Sequence, residues 1–182
     1  MNRIMKRIII LFLFAFTGLQ FNGYAQNYYP GESGVVEGDG YIYEYEPLLG
    51  GVIELYNSDS HFVGEKMTYD GSTKIPEGTM LYTSLSVTND EMMALVADQF
   101  SDEQKSMLAK HKLIIELRVD PQTGRVADVI FSFFNASIIP FTRIPVDVYR
   151  RVELALKENM IFTPTAESRR MNYFSFIWPQ KF

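Results

Sequence analysis

Ile114-Ile115-Glu116-Leu117-Arg118-Val119-Asp120-Pro121-Gln122-Thr123-Gly124-Arg125-Val126-Ala127-Asp128-Val129 decides the fold. Ile115, Leu117 and Val119 alternate with Glu116, Arg118 and Asp120, the period-two pattern of a strand with one buried face. Pro121 presets a type I turn, and Gly124 supplies the left-handed residue that brings the chain back. Ala127, Val129, Phe131 and Phe133 then point to one side of a second strand. The expectation is an antiparallel hairpin laid on a core.

Downstream, a loop through Pro140 and Pro145 leads to a helix from about Pro145 to Met160. Val148, Val152, Ala155 and Leu156 form its apolar stripe, and Glu153 pairs with Lys157 one turn on. Phe162-Thr163-Pro164 ends the helix. Met171 to Trp178 reads as the last strand, with Phe174, Phe176 and Trp178 opposed to Tyr173, Ser175 and Ile177. Upstream, Thr88-Asn89-Asp90-Glu91 and Ser101-Asp102-Glu103-Gln104 are two capping boxes, so two helices start there. Met92, Leu95, Val96 and Phe100 stripe the first. The second runs to about Lys112, with acids at its positive end and Lys110, His111 and Lys112 at its negative end.

Met80 to Val87, His61 to Tyr69 and Val52 to Tyr56 read as short strands. Tyr41, Tyr43 and Tyr45 alternate with Ile42, Glu44 and Glu46, a strand with an aromatic face and a mixed face. Residues 26–40, rich in Gly, Tyr and charge without a period, read as a flexible arm. Ahead of them, Arg3, Lys6 and Arg7 precede the apolar run Ile8 to Phe16, and Gly23-Tyr24-Ala25 offers small residues to a signal peptidase. A secretory signal peptide over residues 1–25, cleaved between Ala25 and Gln26, is expected. Its apolar run is shorter than the roughly 20 residues of a membrane span. No stable span is expected after cleavage. The organisation is then leader 1–25, arm 26–40, a β-rich segment with two short helices over 41–111, and a C-terminal module over 112–182.

The leader holds three of the 17 basic residues and none of the 22 acidic ones, so residues 26–182 carry a formal charge of −8 (14 minus 22). That balance disfavours nucleic acid as a partner, because phosphate contacts need clustered Lys and Arg. There is no cysteine, which excludes disulfides, thiol catalysis, thiolate metal sites and a lipidated leader junction.

Two segments together resemble the C-terminal domain of TonB-type proteins. One is Val119-Asp120 with Gly124-Arg125-Val126-Ala127-Asp128-Val129. The other is Ala155-Leu156-Lys157 followed by Phe162-Thr163-Pro164 and an aromatic last strand. The resemblance covers residues 112–182. It implies a small antiparallel sheet with helices on one face, in the order ββαβ, an α+β fold. It also implies capture of an extended peptide by strand addition, with main-chain hydrogen bonds supplying affinity. Here the edge would be Tyr173, Phe174, Ser175, Phe176 and Trp178, expected to lie uncovered because that strand is last. The family's Pro-rich arm and its Tyr-Pro motif have no counterpart, so energy transduction is not implied. The longer N-terminal part resembles a family of Bacteroides-like secreted envelope proteins.

Chemistry is thinly represented. His61 lies beside Ser58, Asp59 and Ser60 without a Gly-x-Ser-x-Gly elbow, and reads as a polar turn. With two histidines and no HExxH, no metal and no cofactor are expected. Glu44 with Glu46, and Asp120 with Asp128, are carboxylate pairs that read as solvated strand residues. The function expected is that of an exported, periplasmic or outer-membrane-associated protein without catalytic residues. It would bind an envelope protein or peptide, or a second copy of itself. The alternative is a glycan-binding or glycan-processing accessory using Tyr41, Tyr43, Tyr45, Glu44 and Glu46.

Overall fold

The computed structural model describes Tyr28, residues 33–134 and residues 138–182. The leader and its expected cleavage point at Ala25 and Gln26 lie outside the described residues.

The hairpin forms as its pattern requires. Strand β5 (Leu113–Val119) pairs antiparallel with β6 (Val126–Phe134). Gly124 has φ 73° and closes the turn by donating to the Asp120 carbonyl at 2.8 Å. The register holds one detail that alternation alone misplaces. Arg118 faces Asp128 but Val119 faces Val126, so Ala127 is an extra residue, a β-bulge. The bulge turns Val126 into the core with Val129, Phe131 and Phe133 and leaves Ala127 half-buried.

Among the described residues six strands make the main sheet, in the order β1-β2-β3-β6-β5-β8. They are β1 (Gly34–Glu37), β2 (Ile42–Leu48), β3 (Val52–Asn57), the hairpin, and β8 (Phe174–Gln180). Every described pairing is antiparallel and the sheet is open, not closed into a barrel. The fold is α+β. The β-rich N-terminal segment and the C-terminal module share this sheet through the β3–β6 pairing. Part of the stretch read as an arm is strand β1, and glycine explains how it fits. A Cβ on Gly34 would meet the Tyr45 hydroxyl at 2.5 Å, and one on Gly38 would meet the Tyr41 ring at 2.0 Å. The two rings lie against backbone that only glycine leaves open.

The helices lie on one face. They are α1 (Asn89–Ala97), α2 (Asp102–Leu108), the single turn α3 (Ile138–Phe141) and α4 (Val146–Asn159). Both capping boxes form, with Glu91 and Gln104 reaching back to Thr88 and Ser101. The turn α3 replaces the expected loop at Pro140. Tyr149 of α4 packs on Phe131 and Phe133, and Phe141 stacks on Phe133. Helix α4 buries Tyr149 and Glu153 beside Val148, Val152 and Leu156.

The segment read as a helix stop, Phe162–Pro164, is strand β7, which pairs with β4 (Tyr82–Leu85) in a two-stranded sheet. Tyr82 packs on Phe162, Phe174 and Phe176, so this small sheet covers the helix-side face of β8. Residues 61–69 are not a strand. They form a loop tied across the opposite face, because Asp128 is fully buried there and accepts the His61 and Phe62 N–H groups at 2.9 and 2.6 Å. Replacing Asp128 with alanine strands both donors. The expected cost is about 2 kcal/mol, with faster proteolytic cutting between residues 58 and 70.

Candidate functional site

Strand β8 lies at the sheet edge and pairs only with β5 among the described residues. Which of its backbone groups face outward follows from two observations. Asp120 N–H donates to the Arg125 carbonyl and the Asp120 carbonyl accepts from Gly124 N–H, so the even residues of β5 point toward β6. The odd residues therefore point toward β8, where Leu113, Ile115, Leu117 and Val119 face Gln180, Trp178, Phe176 and Phe174. Ser175, Ile177 and Pro179 direct their backbone polar groups away from the sheet. The position of Pro179 agrees, because a proline in a strand belongs where no ladder donor is needed.

The free edge has a defined start. Residues 68–70 run beside residues 170–172, with Asp70 N–H donating to the Arg170 carbonyl at 2.9 Å and Asn172 N–H to the Thr68 carbonyl at 3.3 Å. Asn172 Oδ1 accepts from Thr68 N–H at 2.7 Å, and its amide donates to the Lys66 carbonyl at 3.0 Å. That strap ends before Phe174. Beyond it the edge offers the N–H groups of Ser175 and Ile177 and the carbonyls of Ser175, Ile177 and Pro179.

The side chains expected at this edge are mostly turned inward. Phe174 and Trp178 are buried under the helix layer. Tyr173 is buried on the other face, its ring tilted against Phe62 at 5.0 Å with the Arg118 guanidinium 5.1 Å from its centre. Its hydroxyl donates to the Glu65 carbonyl, and burial, its largest influence, pushes its pKa up. Phe176 and Ser175 are half-buried, and Ser175 Oγ donates to Glu116 at 2.7 Å. The side chain that stands out is Ile177, 59% exposed, which was absent from the expected contact set. Alternation already placed it opposite the aromatic residues; weight given to aromatic character hid it.

The tyrosine strand is built differently from an open ligand face. Tyr43 is fully buried, Tyr45 nearly so, and both point into the helix layer, while Glu44 and Glu46 point to the other face. Tyr43 donates to the carboxylate of Glu153 on α4, which is only 1% exposed. Burial and the Glu153 charge drive the Tyr43 pKa far above its ordinary value. The Glu153 carboxylate also accepts from Asn57 at 3.2 Å, Arg150 at 2.8 Å and Lys157 at 2.6 Å. Tyr41 donates to Asp147 under the Arg150 guanidinium, and its pKa is pushed up to about 12, by burial first and then by Asp147. On the opposite face Glu46 sits directly across from Glu54. Burial, then the nearby Glu116 charge, raises the Glu54 pKa.

The remaining candidates are structural. Asp120 accepts from Gln122 N–H and Thr123 Oγ1, shaping the hairpin turn. Ser58 Oγ donates to the Ile42 carbonyl. Among the described residues no group of three His, Cys, Asp or Glu side chains is placed to hold a metal ion. None of their helices is long and apolar enough to cross a membrane.

No curated protein matches the chain. The fold is similar to the crystal structure of a DUF5043 family protein from Bacteroides uniformis ATCC 8492. The two share 28% identity and superpose with a TM-score of 0.73 over 86% of this chain and 94% of that one. A family model described as a domain of unknown function, DUF5043, matches residues 26–178, nearly all of the chain that follows the expected leader, and the chain belongs to that family.

Proposed function

We propose that this protein is an exported, non-enzymatic interaction module that binds a cell-envelope protein or peptide by adding its strand to β8. The observation that carries the reading is the edge itself. The outward-directed backbone of Ser175, Ile177 and Pro179 pairs with no strand among the described residues, and the exposed Ile177 side chain supplies an apolar contact. Export rests on the leader pattern, and the binding mode on the TonB-like order of the hairpin, helix and final strand. The glycan reading has less support, because Tyr43 is fully buried and Tyr45 nearly so; it keeps a cleft of about 390 Å³ whose lining includes Glu44, Tyr45, Glu46 and Tyr56, and one of about 340 Å³ whose lining includes Tyr41.

Because Ser175 N–H faces away from β5, a proline there removes an edge donor and spares the ladder. A photo-crosslinker at Ile177 should capture a discrete partner in an envelope extract. Ser175→Pro should weaken that capture about tenfold, the effect of roughly 1.5 kcal/mol for the blocked pairing. Ser175→Ala, which keeps the N–H and loses only the hydroxyl bond to Glu116, should leave it intact. Equal capture by wild type and a folded Ser175→Pro protein overturns strand addition at β8.

A further inference from the structure

The opposite face of the sheet ends in a cluster that neither the edge nor the core explains. The β2–β3 turn is Leu48-Leu49-Gly50-Gly51, and Leu49 at its tip is 99% exposed. Leu48 pairs across to Val52, and Val52 pairs to Phe134, so the three form one row on the outward face. Leu48 and Phe134 are both exposed. Extending the β5–β6 register by one step brings Lys112 beside Phe134. A cleft of about 410 Å³ joins them, lined by Lys110, Lys112, Ile114 and Phe134.

This end of the sheet therefore combines a protruding leucine tip, an exposed phenylalanine and two lysines. Neither lysine has an ion pair with a carboxylate among the described residues. The carboxylates of this face begin one row further from the tip with Glu46 and Glu54, and Glu44 and Glu116 follow in the row after. The arrangement is local: residues 26–182 carry a formal charge of −8 (14 minus 22), yet two of the 14 cations, Lys110 and Lys112, stand beside Phe134. Apolar side chains sunk a few ångströms into a bilayer, with lysines at the level of the phosphates, is how peripheral proteins hold an anionic surface.

We propose that this end of the sheet docks on an anionic lipid surface, with Leu48, Leu49 and Phe134 entering the interface and Lys110 and Lys112 meeting lipid phosphates. The proposal is independent of strand addition, since it uses side chains at one end of the outward face, whereas strand addition uses backbone groups along the β8 edge.

The absence of cysteine allows a local test on the full chain. Leu49→Cys labelled with an environment-sensitive fluorophore reports burial at the tip. Thr123→Cys, in the hairpin loop at the far end of the sheet, reports burial elsewhere. With vesicles of phosphatidylcholine containing about a third phosphatidylglycerol, the tip probe should brighten and shift to the blue while the far probe stays unchanged. Vesicles of phosphatidylcholine alone should give a much weaker response, and added salt should reduce the signal. Replacing both Lys110 and Lys112 with glutamine should weaken the apparent vesicle affinity roughly 25-fold, about fivefold for each lysine. A silent tip probe, an equal response at the far probe, or an affinity indifferent to the lysines overturns the proposal.

Discussion

Gly124→Ala is expected to lower the unfolding free energy by roughly 3 kcal/mol or more, on two separate grounds. The residue has φ 73°, a left-handed conformation that costs an alanine about 1–2 kcal/mol. The second ground is contact. A Cβ at this position would lie 2.0 Å from the Phe162 carbonyl oxygen and 3.1 Å from Pro164 Cδ, so β7 must move. That movement breaks the bond from Phe162 N–H to the Gly124 carbonyl at 2.8 Å and the Arg125–Ile161 bridge beside it. It also disturbs Phe162, whose ring packs on Tyr82, Phe174 and Phe176. For a chain of this size the melting temperature should fall by about 6–12 °C. Gly64→Ala separates the two causes. Gly64 has φ 82° but nothing within 4 Å of its would-be Cβ, so only the conformational part applies there, about 1–2 kcal/mol. Urea melts of the two variants should differ by the contact cost. Equal losses would mean that the hairpin turn does not brace β7.

The same glycine shows what a sequence can and cannot disclose. Its left-handed turn is local and legible from Pro121 to Gly124, as are the two capping boxes, the β5 alternation and the apolar stripe of α4. What touches the turn is not local. Strand β7 has three residues and exists because β4, some 80 positions earlier, pairs with it. Strand β1 is legible only once Gly34 and Gly38 are known to lie against Tyr45 and Tyr41. The bulge at Ala127 shifts a face without changing the composition of the run. Residues 61–69 looked like a strand but became a strap because the buried Asp128 supplies the acceptor their backbone needs. At the edge, strand order made β8 the outermost strand, while the direction of its N–H groups required the pairing of β5 with both neighbours. Ile177 was placed correctly by alternation and still overlooked, since an isolated isoleucine carries no chemical signature until its exposure is known.

Glu153 is the sharpest case, and it carries the second large prediction. In the sequence it is one half of an ordinary helix pair with Lys157, worth about 0.5 kcal/mol on a solvated face. In the fold it is a buried carboxylate joining α4 to the first strands, accepting from Tyr43, Asn57, Arg150 and Lys157. Glu153→Ala should cost about 3–5 kcal/mol, because it leaves the Tyr43 hydroxyl and the Asn57 amide buried without their acceptor. Arg150 and Lys157 reach solvent and lose less. The pH dependence has a definite sign. Burial alone would raise the Glu153 pKa, but the hydrogen bonds from Lys157 and Tyr43 and the adjacent positive charges outweigh it, and the net shift is downward. A carboxyl depressed in the folded state contributes its stability above the unfolded value, near 4.3, and loses it as the pH falls through the lower folded value. Wild type should therefore exceed Glu153→Gln by a constant margin from neutral pH to about 5, and the margin should shrink below about 4.3. Tyr43→Phe removes the hydroxyl and should change this acid limb, and in a double-mutant cycle the two substitutions should cost less together than the sum of their separate effects. A margin that holds constant down to pH 2 would show that the carboxylate draws no net stability from its partners, and the tie of α4 to the first strands would then rest on Tyr41, with its bond to Asp147 and its contact with Arg150.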